Sequence, residues 1–507
     1  MNKPDYYVPA PVQADGYKIS HEGFQPEGTE YIYSNQTART SRYLQVDKEI
    51  YDEKTVFFSL QHYIVEFLIN TYNKDFFNRP KAEVISLLKR QFDAYLGKGA
   101  VDMTRFEDLH DLGYLPISIK ALPEGAAVPY KVPYFTIKNT HPKFAWLTNY
   151  LETITSCEVW KPCYVATLTR ELKRVCKIYA DKTVGNYNHL PFQLHGFEFR
   201  GMSGRFDAAI CGAAFLLNSS GTDTLPAIPL LEYYYKANVE KELVACSVPA
   251  SEHAVSSIGT AVRSELEFFR DAITKYYPTG IVSLVSDTYD YFRVITEYAT
   301  LLKEDILNRK VNEIGLAKVV FRPDSGDQVD IIVGDLNAPV GSPQYKGTIE
   351  CLWDVFGGTI NEKGYKELNP RVGAILGDGC TQPIIQRILE GLAKKGFASN
   401  NIVFGIGSFS LNFCSRDSIG AAQKATWTQV NGKAYNIFKD PITDTNKMKK
   451  SAKGLLRVDL VNGEYVLKDQ CTQEEEAGGE LKEVFRDGKL LIEQSLSEIR
   501  ARVAASL

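Results

Sequence analysis

Ala317-Lys-Val-Val-Phe-Arg-Pro-Asp-Ser-Gly326 is a largely apolar run, Ala317 to Phe321, that stops abruptly in a cluster of charge, proline and glycine. The same pattern recurs on both sides of it. Upstream, Phe215 to Leu217 leads into Ser219-Ser-Gly-Thr-Asp223, Leu243 to Cys246 into Ser247-Val-Pro-Ala-Ser-Glu-His253, and Ile281 to Val285 into Ser286-Asp-Thr-Tyr-Asp290. Downstream, Val372 to Leu376 leads into Gly377-Asp-Gly379 and Ile402 to Phe404 into Gly405-Ile-Gly-Ser408. Most of the clusters lie about thirty residues apart, the length of a strand, loop and helix. The wide gap after Arg322 holds a Pro/Gly-rich insertion around Asn337 to Gly347. Six such runs predict a parallel barrel or doubly wound sheet, which would bring all six clusters to one rim at the carboxyl ends of the strands.

The first 180 residues read differently. Helical patterns at Lys81 to Tyr95 and Ala145 to Glu158 alternate with extended runs at Pro116 to Leu122 and Tyr134 to Ile137, an α+β texture. With 507 residues, two structural units are expected. We divide the chain into an α+β region, 1–185, packing with 420–507, and an α/β barrel, 186–419. The 62 acidic and 58 basic residues leave a formal charge of -4, so there is no global positive field for nucleic acid, and a phosphate ligand must be met by local groups. The start, Met1 to Pro11, has no secretory pattern, and Val56 to Ile69 is broken by Gln61, His62 and Glu66, so no membrane span is expected. Nine scattered cysteines without a CxxC pair predict reduced thiols in cytoplasm and no Cys/His zinc site.

The clusters suit a phosphorylated sugar. Gly377-Asp-Gly379 and Gly405-Ile-Gly-Ser408 can bring backbone N–H groups close to a phosphate, with helices expected to begin near Thr381 and Leu411. Arg322 offers a bidentate fork to diphosphate, and Asp324, across Pro323, can accept from ribose hydroxyls or hold Mg2+; an internal salt bridge is the alternative. Asp287 and Asp290 admit the same readings, with a helix N-cap as the alternative for one of them. His253 is the candidate nucleophile or proton carrier, against a purely structural histidine, with Glu252 beside it either orienting the ring or facing water.

Taken in order, Asp15-Gly-Tyr-Lys18 with His21, His195-Gly-Phe-Glu-Phe-Arg-Gly201, Gly221-Thr-Asp223, Ser247 to His253, Ser286 to Asp290, Arg322 to Gly326 and Gly377 to Gly379 closely resemble the nicotinamide phosphoribosyltransferases. The resemblance continues through Arg416-Asp417 and Phe438-Lys-Asp-Pro441 to Asn446-Lys447, nearly the whole chain. It implies an irregular (β/α) barrel of the type II phosphoribosyltransferase kind, with a second domain of N- and C-terminal segments, in a homodimer whose sites lie at the interface. Nicotinamide and 5-phosphoribosyl 1-diphosphate would be the substrates, Mg2+ a cofactor, and ATP a coupled substrate that phosphorylates the residue matched by His253.

By the same resemblance the nicotinamide ring stacks between Phe197 and the partner's Tyr17, with Arg200, Asp223 and Ser286 around it. Asp223 would accept from the carboxamide, which favours the amide over nicotinate because the acid would set two anions together. Ser247, Asp290, Arg322, Asp324, Lys439 and Lys447 would surround ribose and diphosphate. Gly377, Asp378, Gly407, Ser408, Arg416 and Lys424 would surround the 5′-phosphate. Two departures from the family pattern stand out: Ser408 and Phe409 occupy a loop often richer in glycine, and the shortened Gln36 to Lys54 region leaves the partner-supplied arginine open between Arg39 and Arg42. The competing readings are a nicotinate phosphoribosyltransferase and a non-catalytic binding or signalling protein on the same fold.

Overall fold

A computed structural model describes residues 6–377, 379–444 and 450–507. Asp378 and Lys447, both candidate phosphate ligands, lie outside the described residues.

The apolar runs assemble into a six-stranded parallel sheet in the spatial order Gly221–Thr222, Leu194–Gly196, Ile402–Ile406, Val372–Leu376, Ala317–Arg322, Gly280–Val285. Strands covered on both faces read as near-continuous apolar runs, which is why three of the expected strands are found in place. The sheet curls until its edges nearly meet. Single parallel bridges, Gly221 to Cys246 and Ala250 to Ser283, link the outer strands through the segment 246–251 and give an irregular α/β barrel.

Two expected strands are corrected. Leu243 to Cys246 forms no strand: Pro249 has no N–H to donate, so this wall is held by scattered bonds such as Ser283 N–H to Pro249 O, 2.9 Å. Phe215 to Leu217 is instead the end of the buried helix Arg205–Phe215, and the strand after it is only Gly221–Thr222. A three-residue apolar run does not distinguish the two. The Ile402 strand runs on through Ile406, and with Gly407 as N-cap its helix starts at Ser408 rather than near Leu411. The helix after Gly377 begins where expected, with Thr381 as N-cap.

A second, seven-stranded sheet has the order Lys433–Asn436, Ala422–Val430, Thr29–Thr37, Pro133–Asn139, Ile117–Ala121, Lys482–Arg486, Lys489–Leu490. Its pairings are antiparallel and interleave strands from both ends of the chain. Between the sheets runs the 32-residue helix Glu152–Thr183. The expected single helix from Ala145 is therefore two, Ala145–Tyr150 and this one, which continues through Pro162 because it is buried on nearly every side. Its Thr167 accepts from Val56 N–H at 2.9 Å, and its Glu171 carbonyl accepts from Gln382 Nε2 at 3.4 Å, so it touches both the N-terminal segment and a barrel helix.

Candidate active site

Alternation along the Leu194–Gly196 strand points His195 and Phe197 to one side. His195 Nε2 donates to Asp223 Oδ1 at 3.0 Å, and Ser247 Oγ donates to the same oxygen at 2.7 Å. Burial alone would raise the Asp223 pKa. The hydrogen bonds from His195 and Ser247 and the charges of His195 and Arg322 outweigh it and hold the group below its ordinary value. Both bonds fall on Oδ1, and the side chain is 49% exposed. Phe197 is half-buried against Gly405, where any side chain would overlap its ring. The adjacent Glu198 is fully buried and accepts from Thr224 Oγ1 at 2.7 Å; burial raises its pKa. Arg200 is 90% exposed and lies 3.7 Å from Glu252.

The segment after Cys246 and the next two strand ends bring charge together. His253 opens the helix His253–Thr260, with its Nε2 3.4 Å from Asp287 Oδ1 and 3.8 Å from Asp324 Oδ2. Arg322 Nε lies 3.4 Å from Asp324 Oδ1, and its terminal nitrogen donates to Ser251 O at 2.8 Å. Asp287, only 4% exposed, accepts from Asp324 N–H at 2.9 Å and Ser325 Oγ at 2.6 Å. Its other oxygen is buried without a hydrogen-bond donor. Two carboxylates thus face the same imidazole nitrogen of His253. Ser286 is buried, with its hydroxyl donating to Leu284 O at 2.7 Å. Asp290 is exposed and caps the adjoining turn by accepting from Arg293 N–H at 3.1 Å.

The two glycine loops play unequal parts. Gly377 abuts Asp324 so closely that a side chain would overlap the carboxylate, and its own N–H is used by Pro323 O at 3.1 Å. Gly407 has open space around it, whereas the Ser408 side chain packs on Gly201. Phe409 is exposed and stacks on Phe413, centroids 5.6 Å apart.

Basic groups gather elsewhere on the surface. Arg39, Lys131, Lys424 and Lys450 line one small cleft. Desolvation, with Arg416 nearby, lowers the Arg39 pKa; desolvation, with Arg39, Lys439 and Arg416, lowers that of Lys424. Lys439 is exposed, its N–H bonded to Ser451 Oγ at 2.9 Å. Arg42 sits over the Tyr43 ring at 5.2 Å. Tyr17 and Arg416 share a separate cleft of about 210 Å³ with Glu152 and Trp160.

Sequence reasoning assigned no role to His195 or Lys131 and left Asp287 between two readings. His195 heads the Phe197 motif, and its two-residue offset from that ring was the available signal. Lys131 carried none, since it enters through a turn at positive φ, +71°.

The model of the nicotinate phosphoribosyltransferase (NAPRTase) family matches residues 192–489. The chain is 50% identical over 493 residues to a nicotinamide phosphoribosyltransferase of Acinetobacter baylyi, covering 97% of this chain and 96% of that protein. It is 33% identical over 509 residues to a nicotinamide phosphoribosyltransferase of Xanthomonas campestris pv. campestris, covering 98% of each. Among solved structures, human nicotinic acid phosphoribosyltransferase superposes with a TM-score of 0.55 at 13% identity, covering 97% of this chain and 93% of that one. Nicotinate-nucleotide pyrophosphorylase from Pyrococcus furiosus gives 0.55 at 14%, covering 100% and 98%, and both are likenesses of fold. A family model spanning the barrel and most of the C-terminal segment, together with a relative identical at half of its positions from end to end, means that this chain belongs to the nicotinate phosphoribosyltransferase family.

Proposed function

We propose that the chain is a nicotinamide phosphoribosyltransferase, joining nicotinamide to 5-phosphoribosyl 1-diphosphate to give nicotinamide mononucleotide and diphosphate for NAD salvage. The observation that carries the choice of base is Asp223: ionised, with both of its hydrogen bonds on Oδ1, it offers Oδ2 to a carboxamide N–H. A nicotinate carboxylate would meet that charge head-on. The ring would stack on Phe197, with Arg200 free to swing over it.

The pyridine nitrogen attacks C1 of the ribose as the bond to diphosphate breaks, with positive charge developing on the sugar. Arg322 would bind the departing diphosphate and Asp324 the ribose hydroxyls. Mg2+ fits the donors present: Asp287 and Asp324 supply the hard carboxylate oxygens it takes, one of them buried without a donor. When bound, it would neutralise diphosphate charge. His253, its Nε2 turned to the two carboxylates, would take the phosphoryl group of ATP on its other nitrogen, leaving ADP. Gly407 and Ser408 are read as 5′-phosphate contacts, with Lys424, which lines one cleft with Arg39, reaching the 5′-phosphate of the second copy.

The Tyr17 and Arg416 cleft is read as the surface offered to a second copy, completing a homodimer. Arg39, which lies in the basic cleft, is the partner-supplied arginine in this reading rather than Arg42. In functional terms we keep 186–419 as the reacting unit and 1–185 with 420–507 as the unit that supports it. No helix of the described residues is long and apolar enough to cross a membrane. None of the nine cysteines is in a disulfide, which suits the cytoplasm.

The test is product formation from labelled nicotinamide and, separately, nicotinate, with phosphoribosyl diphosphate and Mg2+, with and without ATP, for wild type and His253→Ala. Expected are nicotinamide-specific turnover and ATP stimulation that the variant loses while keeping basal turnover. Preference for nicotinate overturns the base assignment; stimulation surviving in the variant overturns the role of His253.

A further inference from the structure

One ammonium ties together the two loops on which the proposed reaction depends. Lys161, on the Glu152–Thr183 helix, has a side chain only 10% exposed, and its Nζ donates to Asp207 Oδ2 and to Asn412 Oδ1, each at 2.5 Å. Asp207 lies in the first turn of the helix after the Phe197 to Gly204 loop, and its Oδ2 also accepts from Ser203 N–H at 2.8 Å. Asn412 ends the short helix after Gly407, and its Nδ2 donates to Gly201 O at 2.8 Å. At the same junction Gly201 lies against the Ser408 side chain, leaving no room for a Cβ.

The amide of Asn412 has one workable orientation here. Its oxygen must face the ammonium and its nitrogen the Gly201 carbonyl; reversed, it would set donor against donor and acceptor against acceptor. Lys161 therefore dictates which way Asn412 points, and through it where the Arg200 loop sits relative to the phosphate loop. A buried ion pair is weak as a source of stability but effective at fixing the register of polar groups.

We propose that Lys161 is a positioning residue that couples the nicotinamide site to the phosphate site, so that filling one orders the other; this rests on the nicotinamide and phosphoribosyl diphosphate reading above. Among the described residues, Lys161 reaches both loops through Asp207 and Asn412. Its loss loosens two walls of one site together.

The test uses the full chain with Lys161→Met, Lys161→Arg, Asn412→Ala and the Met/Ala double variant. KM for each substrate is measured at low and saturating concentrations of the other, alongside thermal denaturation. In wild type, KM for nicotinamide should fall as phosphoribosyl diphosphate rises. Lys161→Met and Asn412→Ala should each lose that dependence and raise both KM values about tenfold with kcat within about twofold, the scale of a sub-ångström misplacement. The double variant should be no worse than either single one, because both break the same link. Lys161→Arg, which keeps the charge, should recover part of the dependence. Unchanged KM values with only a lower melting temperature, or effects that multiply in the double variant, overturn the proposal. Asn412 is half-buried, so Asn412→Ala carries the test if Lys161→Met does not fold. An active wild type with unaltered variants sinks only the role of Lys161, whereas a wild type inert towards nicotinamide overturns both readings.

Discussion

Asp223→Asn isolates the charge of the proposed base-selecting residue from its shape. The asparagine Oδ1 can keep both existing hydrogen bonds, from His195 at 3.0 Å and Ser247 at 2.7 Å, so the side chain should stay where it is. What changes is the group facing the ligand: a carboxylate oxygen becomes an NH2 that can donate to nicotinate. Two unit charges about 5 Å apart repel by about 3 kcal/mol at an effective dielectric of 20 and by about 1 kcal/mol in water. With the side chain 49% exposed, a value of roughly 2 kcal/mol between those limits applies, or about 30-fold. The ratio of kcat/KM for nicotinate to that for nicotinamide should therefore rise about 30-fold, with the thermal midpoint little changed. The assay is competition between the two bases at equal concentration, products separated by chromatography, at a pH near neutral where Asp223 is ionised. A ratio that moves less than about threefold, in a variant that melts like wild type, would mean that Asp223 does not select the base by charge.

Two further perturbations arise from the packing. Gly405→Ala pushes a methyl group into the Phe197 ring and should destabilise the fold by about 1–3 kcal/mol while raising the KM for nicotinamide more than that for phosphoribosyl diphosphate; denaturant melts and kinetics check it, and equal effects on the two substrates would count against Phe197 as the stacking face. Glu124 is buried and accepts from Ser59 N–H at 3.1 Å and Gln61 N–H at 2.5 Å, yet burial, only partly offset by those bonds and by Arg502, raises its pKa from 4.5 to about 7. The folded state holds that proton longer than the unfolded chain, so the stability tied to it is full below about pH 4.5 and is lost as pH rises towards 7, on the order of 3 kcal/mol. Glu171, also raised by burial to about 7, acts in the same direction. Glu124→Gln should flatten part of the fall in melting temperature between pH 5 and 7.5, and a variant whose curve runs parallel to wild type would refute the assignment.

The barrel was most legible where its strands are buried on both faces. Ile281 to Val285, Ala317 to Phe321 and Val372 to Leu376 announce themselves as apolar runs ended by polar turns, and all three are strands. The signal failed where burial and secondary structure part company. Phe215 is as apolar as a strand residue but closes a buried helix, and Leu243 to Cys246 reaches the sheet only through an isolated bridge at Cys246. Within the site, the two-residue spacing of Arg322 and Asp324 read first as a pair of ligand contacts, with the ion pair that forms between them as the alternative. The approach of Asp287 to His253 was not legible, because Asp287 follows a strand and His253 opens a helix from a separate, irregular segment.

By itself the sequence determined the parallel α/β architecture, the polar clusters at the ends of its strands and, through its ordered motifs, the family. Those features are local: a run of apolar side chains reports burial, and glycine or proline after it reports the turn. The tertiary structure alone decided that a single carboxylate oxygen of Asp223 carries both hydrogen bonds, that Gly405 makes room for an aromatic ring while Gly407 lies open, and that Lys161 reaches Asn412 across 251 residues of chain. Such contacts depend on how a closed sheet brings distant segments to one rim, and no periodicity within a short window encodes that.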